Sequence, residues 1–148
     1  MAGAVLPAGQ ALAAPPNDGF SAAITLAQGA VAGSTAGATA EPGEPDHFGK
    51  GRTVWYRWTA PGTGGTKVSA CGSSNFVAVY TGASVGSLAL VTDGGCDRAW
   101  MAKAGTTYRI AVANRYNLPD GGPFTLQLKQ VTTLPNVCLL YTSPSPRD

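Results

Sequence analysis

The densest polar stretch in the chain is EPGEPDH, residues 41–47, where Glu41, Glu44, Asp46 and His47 sit on a segment stiffened by Pro42 and Pro45. Two carboxylates could serve as the acid and base of a glycosidase, but that chemistry needs a sugar cleft and two different protonation environments. A three-residue spacing on one loop supplies neither. A zinc centre would need a full tetrahedral set, and His47 is the sole histidine. Calcium fits better, because it takes 6 to 8 oxygens and tolerates irregular loops. Its ligands would be Glu41, Glu44 and Asp46, with Asn17 and Asp18. The simplest use of the stretch is structural: Glu41 and Glu44 accept backbone N–H groups and pair with Arg52 or Lys50, fixing a long crossover loop. Asp93 and Asp97, flanking Gly94, Gly95 and Cys96, read as solvated turn acids or as a second calcium loop. A nucleophilic triad would have to use His47, and no serine stands in a strand-turn-helix elbow. No catalytic residue is therefore assigned, and the chain is expected not to be an enzyme.

The other chemistry on offer is a binding face of aromatic side chains. In TVWYRWTAP, residues 53–61, a period of two places Val54, Tyr56 and Trp58 on one face and Trp55 beside Arg57 on the other. Trp58 and Trp100 are expected in the core. Trp55 and Tyr116, the latter in the loop Asn114-Arg-Tyr-Asn, are the candidate ligand-binding residues.

Ten basic and eight acidic residues leave a net charge of +2, which is no basic field for nucleic acid. No stretch is long and apolar enough to span a membrane as a helix. Charged residues make up 12% of the chain while glycine alone numbers 20. That balance disfavours soluble helices and suits a secreted all-β module.

Residues 1–16 read as a signal-peptide remnant or a linker, with Ala11-Leu12-Ala13 matching the small-x-small pattern of a signal-peptidase site. Residues 133–148 form a tail. Its last part, CLLYTSPSPRD at 138–148, has two helix-breaking prolines and no apolar period. It resembles the translation of a transposase-type sequencing-library adapter and is set aside as read-through, which puts the natural end of this segment near Val137. Of three cysteines, Cys71 and Cys96 then remain. A disulfide between them would close a loop of about 25 residues and contribute roughly 3 kcal/mol.

The elements that must position these residues are short segments separated by glycine-rich turns, the rhythm of a β-sandwich. Strands are expected at 29–35, 53–60, 66–71, 76–81, 88–92, 98–103, 107–114 and 123–130. The clearest alternation sets Tyr108, Ile110 and Val112, and then Phe124, Leu126 and Leu128, on dry faces. A single helical turn through Phe20 and Ala23 is expected, with Asn17 or Asp18 as its cap. Pro61-Gly62 and Gly64-Gly65 are read as turns.

In chain order, NDGF (17–20), GSTAGATAEPGEPDH (33–47), TVWYRWTAP (53–61), CGS (71–73), AVYTG (78–82) and AGTTYRIAV (104–112) resemble the bacterial pre-peptidase C-terminal-like domain. The resemblance spans residues 17–132. It implies a jelly-roll-like antiparallel β-sandwich of about eight strands, attached to other domains of a secreted or surface bacterial protein such as a peptidase. It implies no catalysis by the module itself. The expected role is that of an extracellular accessory module for folding, spacing or substrate targeting. The alternatives are a polysaccharide- or collagen-binding module with exposed aromatics and calcium as a candidate stabilising ion, and a fragment of a secreted peptidase whose catalytic domain lies elsewhere. Two positions depart from the family pattern. SSNFV at 73–77 is short and lacks an acid, and Arg98 and Met101 stand where β-branched residues are expected, so that their strand is either an edge or shifted in its pairing.

Overall fold

The computed structural model describes residues 14–39, 41–45, 53–71, 75–114 and 122–131. Nine strands lie among them: β1 (Ile24–Thr25), β2 (Gly29–Ser34), β3 (Thr53–Thr59), β4 (Gly64–Ser69), β5 (Asn75–Thr81), β6 (Ala89–Gly94), β7 (Asp97–Ala102), β8 (Thr107–Asn114) and β9 (Pro123–Val131). They form a five-stranded sheet, β1-β3-β8-β5-β6, and a four-stranded sheet, β2-β9-β4-β7. The pairing is antiparallel throughout except where β1 runs parallel to β3, with Thr25 opposite Arg57.

Alternation drives the sandwich. Along β9 every second residue is buried, so Phe124, Leu126 and Leu128 enter the space between the sheets while Thr125, Gln127 and Lys129 point out. There they meet Val54, Tyr56 and Trp58 of β3, Val77 and Val79 of β5, Trp100 of β7, and Tyr108, Ile110 and Val112 of β8. Trp58, Trp100 and Tyr108 cluster at centroid separations of 5.4 to 6.3 Å, with Trp58 stacked on Tyr108 and edge to face with Trp100. One contact constrains the backbone of β2: a Cβ at Gly33 would overlap the Tyr56 hydroxyl and the Phe124 ring.

The eight expected strands are all present, and β7 is indeed an edge. Two features differ from expectation. β4 begins at Gly64, because Gly64 and Gly65 pair with Ala102 and Met101 and so extend the ladder. The short β1 carries no period and was not anticipated.

The expected helical turn is a 3-10 helix, Phe20–Ala22, and its cap is not Asn17 or Asp18. Gly19 holds the N-cap position without a side-chain bond, and Glu41, 21 residues on, accepts the Phe20 N–H at 2.7 Å. A carboxylate from a distant loop thus satisfies a donor that a local cap would otherwise take.

Cys71 and Cys96 form the expected disulfide, with a Cα–Cα distance of 4.8 Å. Consecutive strands β6 and β7 belong to different sheets. The bond fastens the corner between them to the end of β4, beside the Ala70 N–H to Cys96 carbonyl bond of 2.8 Å.

Candidate functional site

Of the acidic residues expected to bind calcium, Asp18, Glu41 and Glu44 lie on the outer face of the five-stranded sheet, around Trp55. Trp55 has no solvent exposure, which corrects the expectation of an accessible aromatic. It does face away from the inter-sheet core, as its register requires, but a second apolar cluster covers it. Phe20, Ala23, Phe76, Ala78, Tyr80, Ala111 and Ala113 build that layer, and Val85 and Leu88 pack against it. Phe20 meets the indole edge to face at 5.1 Å and Tyr80 approaches at 6.1 Å. A buried tryptophan must place its one donor, and the indole N–H donates to Glu44 Oε2 at 2.9 Å.

Asn17, Asp18 and Glu41 are engaged in the same fastening. Asn17 forms a two-bond ladder with the Trp55 backbone, its side-chain amide donating to the Trp55 carbonyl and its own carbonyl accepting the Trp55 N–H, both at 2.9 Å. Asp18 accepts the Thr39 N–H and hydroxyl. Glu41 holds Phe20. The segment 17–20 and the loop 39–44 are therefore laced together over the sheet. Among the described residues no group of three or more His, Cys, Asp or Glu side chains is arranged to hold a metal. Glu41 accepts a backbone N–H, as the structural reading expects, whereas Glu44 takes an indole donor, and the pairing of either with Arg52 or Lys50 falls outside the described residues. Asp46, His47, Lys50, Arg52 and Tyr116 lie outside the described residues, as do residues 1–13 and 132–148.

Burial beneath this layer raises the Glu44 carboxyl from 4.5 to about 7, against the opposing pull of its bonds to Trp55 and Thr53. Glu41 and Asp18 add a smaller repulsion in the same direction. Burial, with Asp93 and Glu44 nearby, likewise raises the Tyr80 phenol. Asp93 and Asp97, expected in turns, are exposed strand residues of β6 and β7, and Asp97 pairs with Lys67 at 3.5 Å in the open.

The four-stranded sheet is different on its outer side. β4, β7 and β9 enclose a shallow groove of about 760 Å³ there. Gly65, Ser69 and Ala99 are small and form a depression, while Lys67, Lys129, Met101, Gln127 and Val131 stand around it. Lys67 and Lys129 are directly opposite in the ladder. Met101 is 65% exposed and Val131 40%, so aliphatic surface is offered beside cationic tips. The sequence signal for this face was Met101, out of character for a buried strand. Its depth could not be seen without knowing which three strands are neighbours. Among the described residues no helix is long and apolar enough to cross a membrane.

No family model and no curated protein matches the sequence. Among solved structures, the periplasmic inhibitor of g-type lysozyme from Aeromonas hydrophila superposes with a TM-score of 0.50 at 14% identity, over 72% of this chain and 94% of that one. The pre-peptidase C-terminal domain of a collagenase from Bacillus anthracis gives a TM-score of 0.47 at 16% identity over the same shares. At such identities the likeness is one of fold: the chain is an all-β sandwich of two packed sheets.

Proposed function

We propose that this chain is a non-catalytic, extracellular accessory module of a larger secreted or surface bacterial protein, of the pre-peptidase C-terminal type. The observation that carries this function is the engagement of its acids. Asp18, Glu41 and Glu44, the residues with the most chemistry to offer, each accept from a donor of their own fold. The disulfide supports an oxidising compartment, since such bonds persist outside the cytosol. The genomic DNA flanking this segment tests the assignment. In-frame sequence encoding a catalytic or anchoring domain is expected, and a reading frame that closes immediately on both sides would overturn it.

A second reading is favoured by the groove on β4, β7 and β9: the module holds a polysaccharide or collagen chain there, and not at Trp55. A depression floored by small residues suits an extended polymer, which needs contact along its length more than enclosure. Retention on insoluble polysaccharides and on collagen tests it.

A further inference from the structure

The outer face of the five-stranded sheet carries a pair of cations beyond the edge of its apolar layer. Arg57 of β3 and Arg109 of β8 are directly opposite in the antiparallel register, so their side chains leave the same face side by side. Like charges in that position repel and destabilise a ladder. Each guanidinium is nonetheless held in place. Arg57 donates from Nε to the Thr25 hydroxyl at 2.8 Å, and Arg109 donates from Nε to the Gly82 carbonyl at 3.0 Å while its guanidinium carbon lies 4.8 Å from the Phe20 ring centre. These bonds take up the Nε of each side chain and leave the terminal Nη groups without a partner among the described residues.

Of the five described carboxylates, four are engaged elsewhere, and the fifth, Asp93, stands exposed on β6, two strands beyond Arg109. Asp18, Glu41 and Glu44 serve the lacing around Trp55, and Asp97 pairs with Lys67, the one ion pair among the described residues. Burial, and to a lesser degree the neighbouring Arg57 charge, lowers the affinity of Arg109 for its proton. The Thr59 and Thr107 hydroxyls, 2.7 Å apart, lie one step along the same face and add polar surface.

We propose that Arg57 and Arg109 form a binding site for a carboxylate group carried by a ligand. Two guanidinium forks anchored through Nε are pre-oriented donors, and a planar carboxylate accepts from such forks in pairs of parallel bonds. The module's small net charge argues for a small carboxylate ligand and not for a polyanion.

The test is a titration of the full chain with sodium malonate at constant ionic strength, following the arginine Nε–H signals by NMR. Saturable shifts at both Arg57 and Arg109 are expected, lost in Arg57→Gln and weakened about tenfold in Arg57→Lys, which keeps the charge and loses the fork. Arg57 is exposed, so a native amide spectrum is expected for both variants. Should Arg57→Gln unfold, the Arg57→Lys affinity decides alone. Shifts that do not saturate, equal shifts with sodium chloride, or undiminished affinity in Arg57→Lys would overturn the site. Tighter binding of inorganic phosphate than of malonate would overturn its assignment to carboxylate.

Discussion

The indole N–H of Trp55 donates to the carboxyl of Glu44 across 2.9 Å, joining the most buried aromatic of the outer layer to the most perturbed acid among the described residues. Each explains the other: Trp55 needs an acceptor where water cannot reach, and Glu44 is drawn into a site that disfavours its charge.

Stability is therefore expected to depend on pH through Glu44. Its folded-state value, about 7, lies above the ordinary 4.5, so the fold binds this proton more tightly than the unfolded chain does. The stabilisation is fully present below about pH 4.5 and is lost as pH rises through about 7. Water still reaches this half-buried carboxyl, which reduces the effect to about 1–2 kcal/mol. Melting curves at pH 4.5 and 8 should show the difference, and Glu44→Gln should flatten it by raising stability at pH 8.

Trp55→Phe removes the indole donor and leaves Glu44 without that bond. A loss of about 1–3 kcal/mol is expected in denaturant titrations. A variant as stable as the wild type would mean that the bond does not hold the outer layer.

Gly33→Ala places a methyl group against the Tyr56 hydroxyl and the Phe124 ring. Overpacking of this kind should cost about 1–3 kcal/mol. The midpoint of urea unfolding reads it directly.

Replacing Cys71 and Cys96 together with serine should destabilise the domain by about 2–4 kcal/mol. The bond joins the β6–β7 corner to β4, so hydrogen exchange should quicken first at that corner.

Excess calcium or chelator should leave the melting temperature unchanged, because Asp18, Glu41 and Glu44 are already taken by N–H and hydroxyl donors. A ligand that binds the native state must raise its stability, so a calcium-dependent rise would reveal a site using other residues.

The strands were legible because a period of two reports burial wherever one face is wet, as along Phe124, Leu126 and Leu128. Trp55 shows where that logic stops. Its register correctly set it opposite the inter-sheet core, yet a strand covered on both faces needs knowledge of what lies on the second one, here Phe20 and the loop bearing Glu44. The Glu41 cap of the 3-10 helix was hidden for the same reason, since a partner 21 residues away leaves no local spacing. The disulfide was legible once Cys138 was set aside, which leaves Cys71 and Cys96 as a pair. The groove and the Arg57–Arg109 pair depend on strand neighbours that sequence order does not reveal.

The most direct measurement is retention of the chain on insoluble polysaccharides and on collagen, comparing wild type with a groove variant, Met101→Asp with Lys129→Glu, and with Glu44→Gln. Retention on one polymer is expected for wild type and Glu44→Gln, with at least a tenfold loss in the groove variant, roughly 1.4 kcal/mol. Retention of the groove variant equal to wild type, or no retention of wild type on any polymer, would contradict a polymer-binding role for this face.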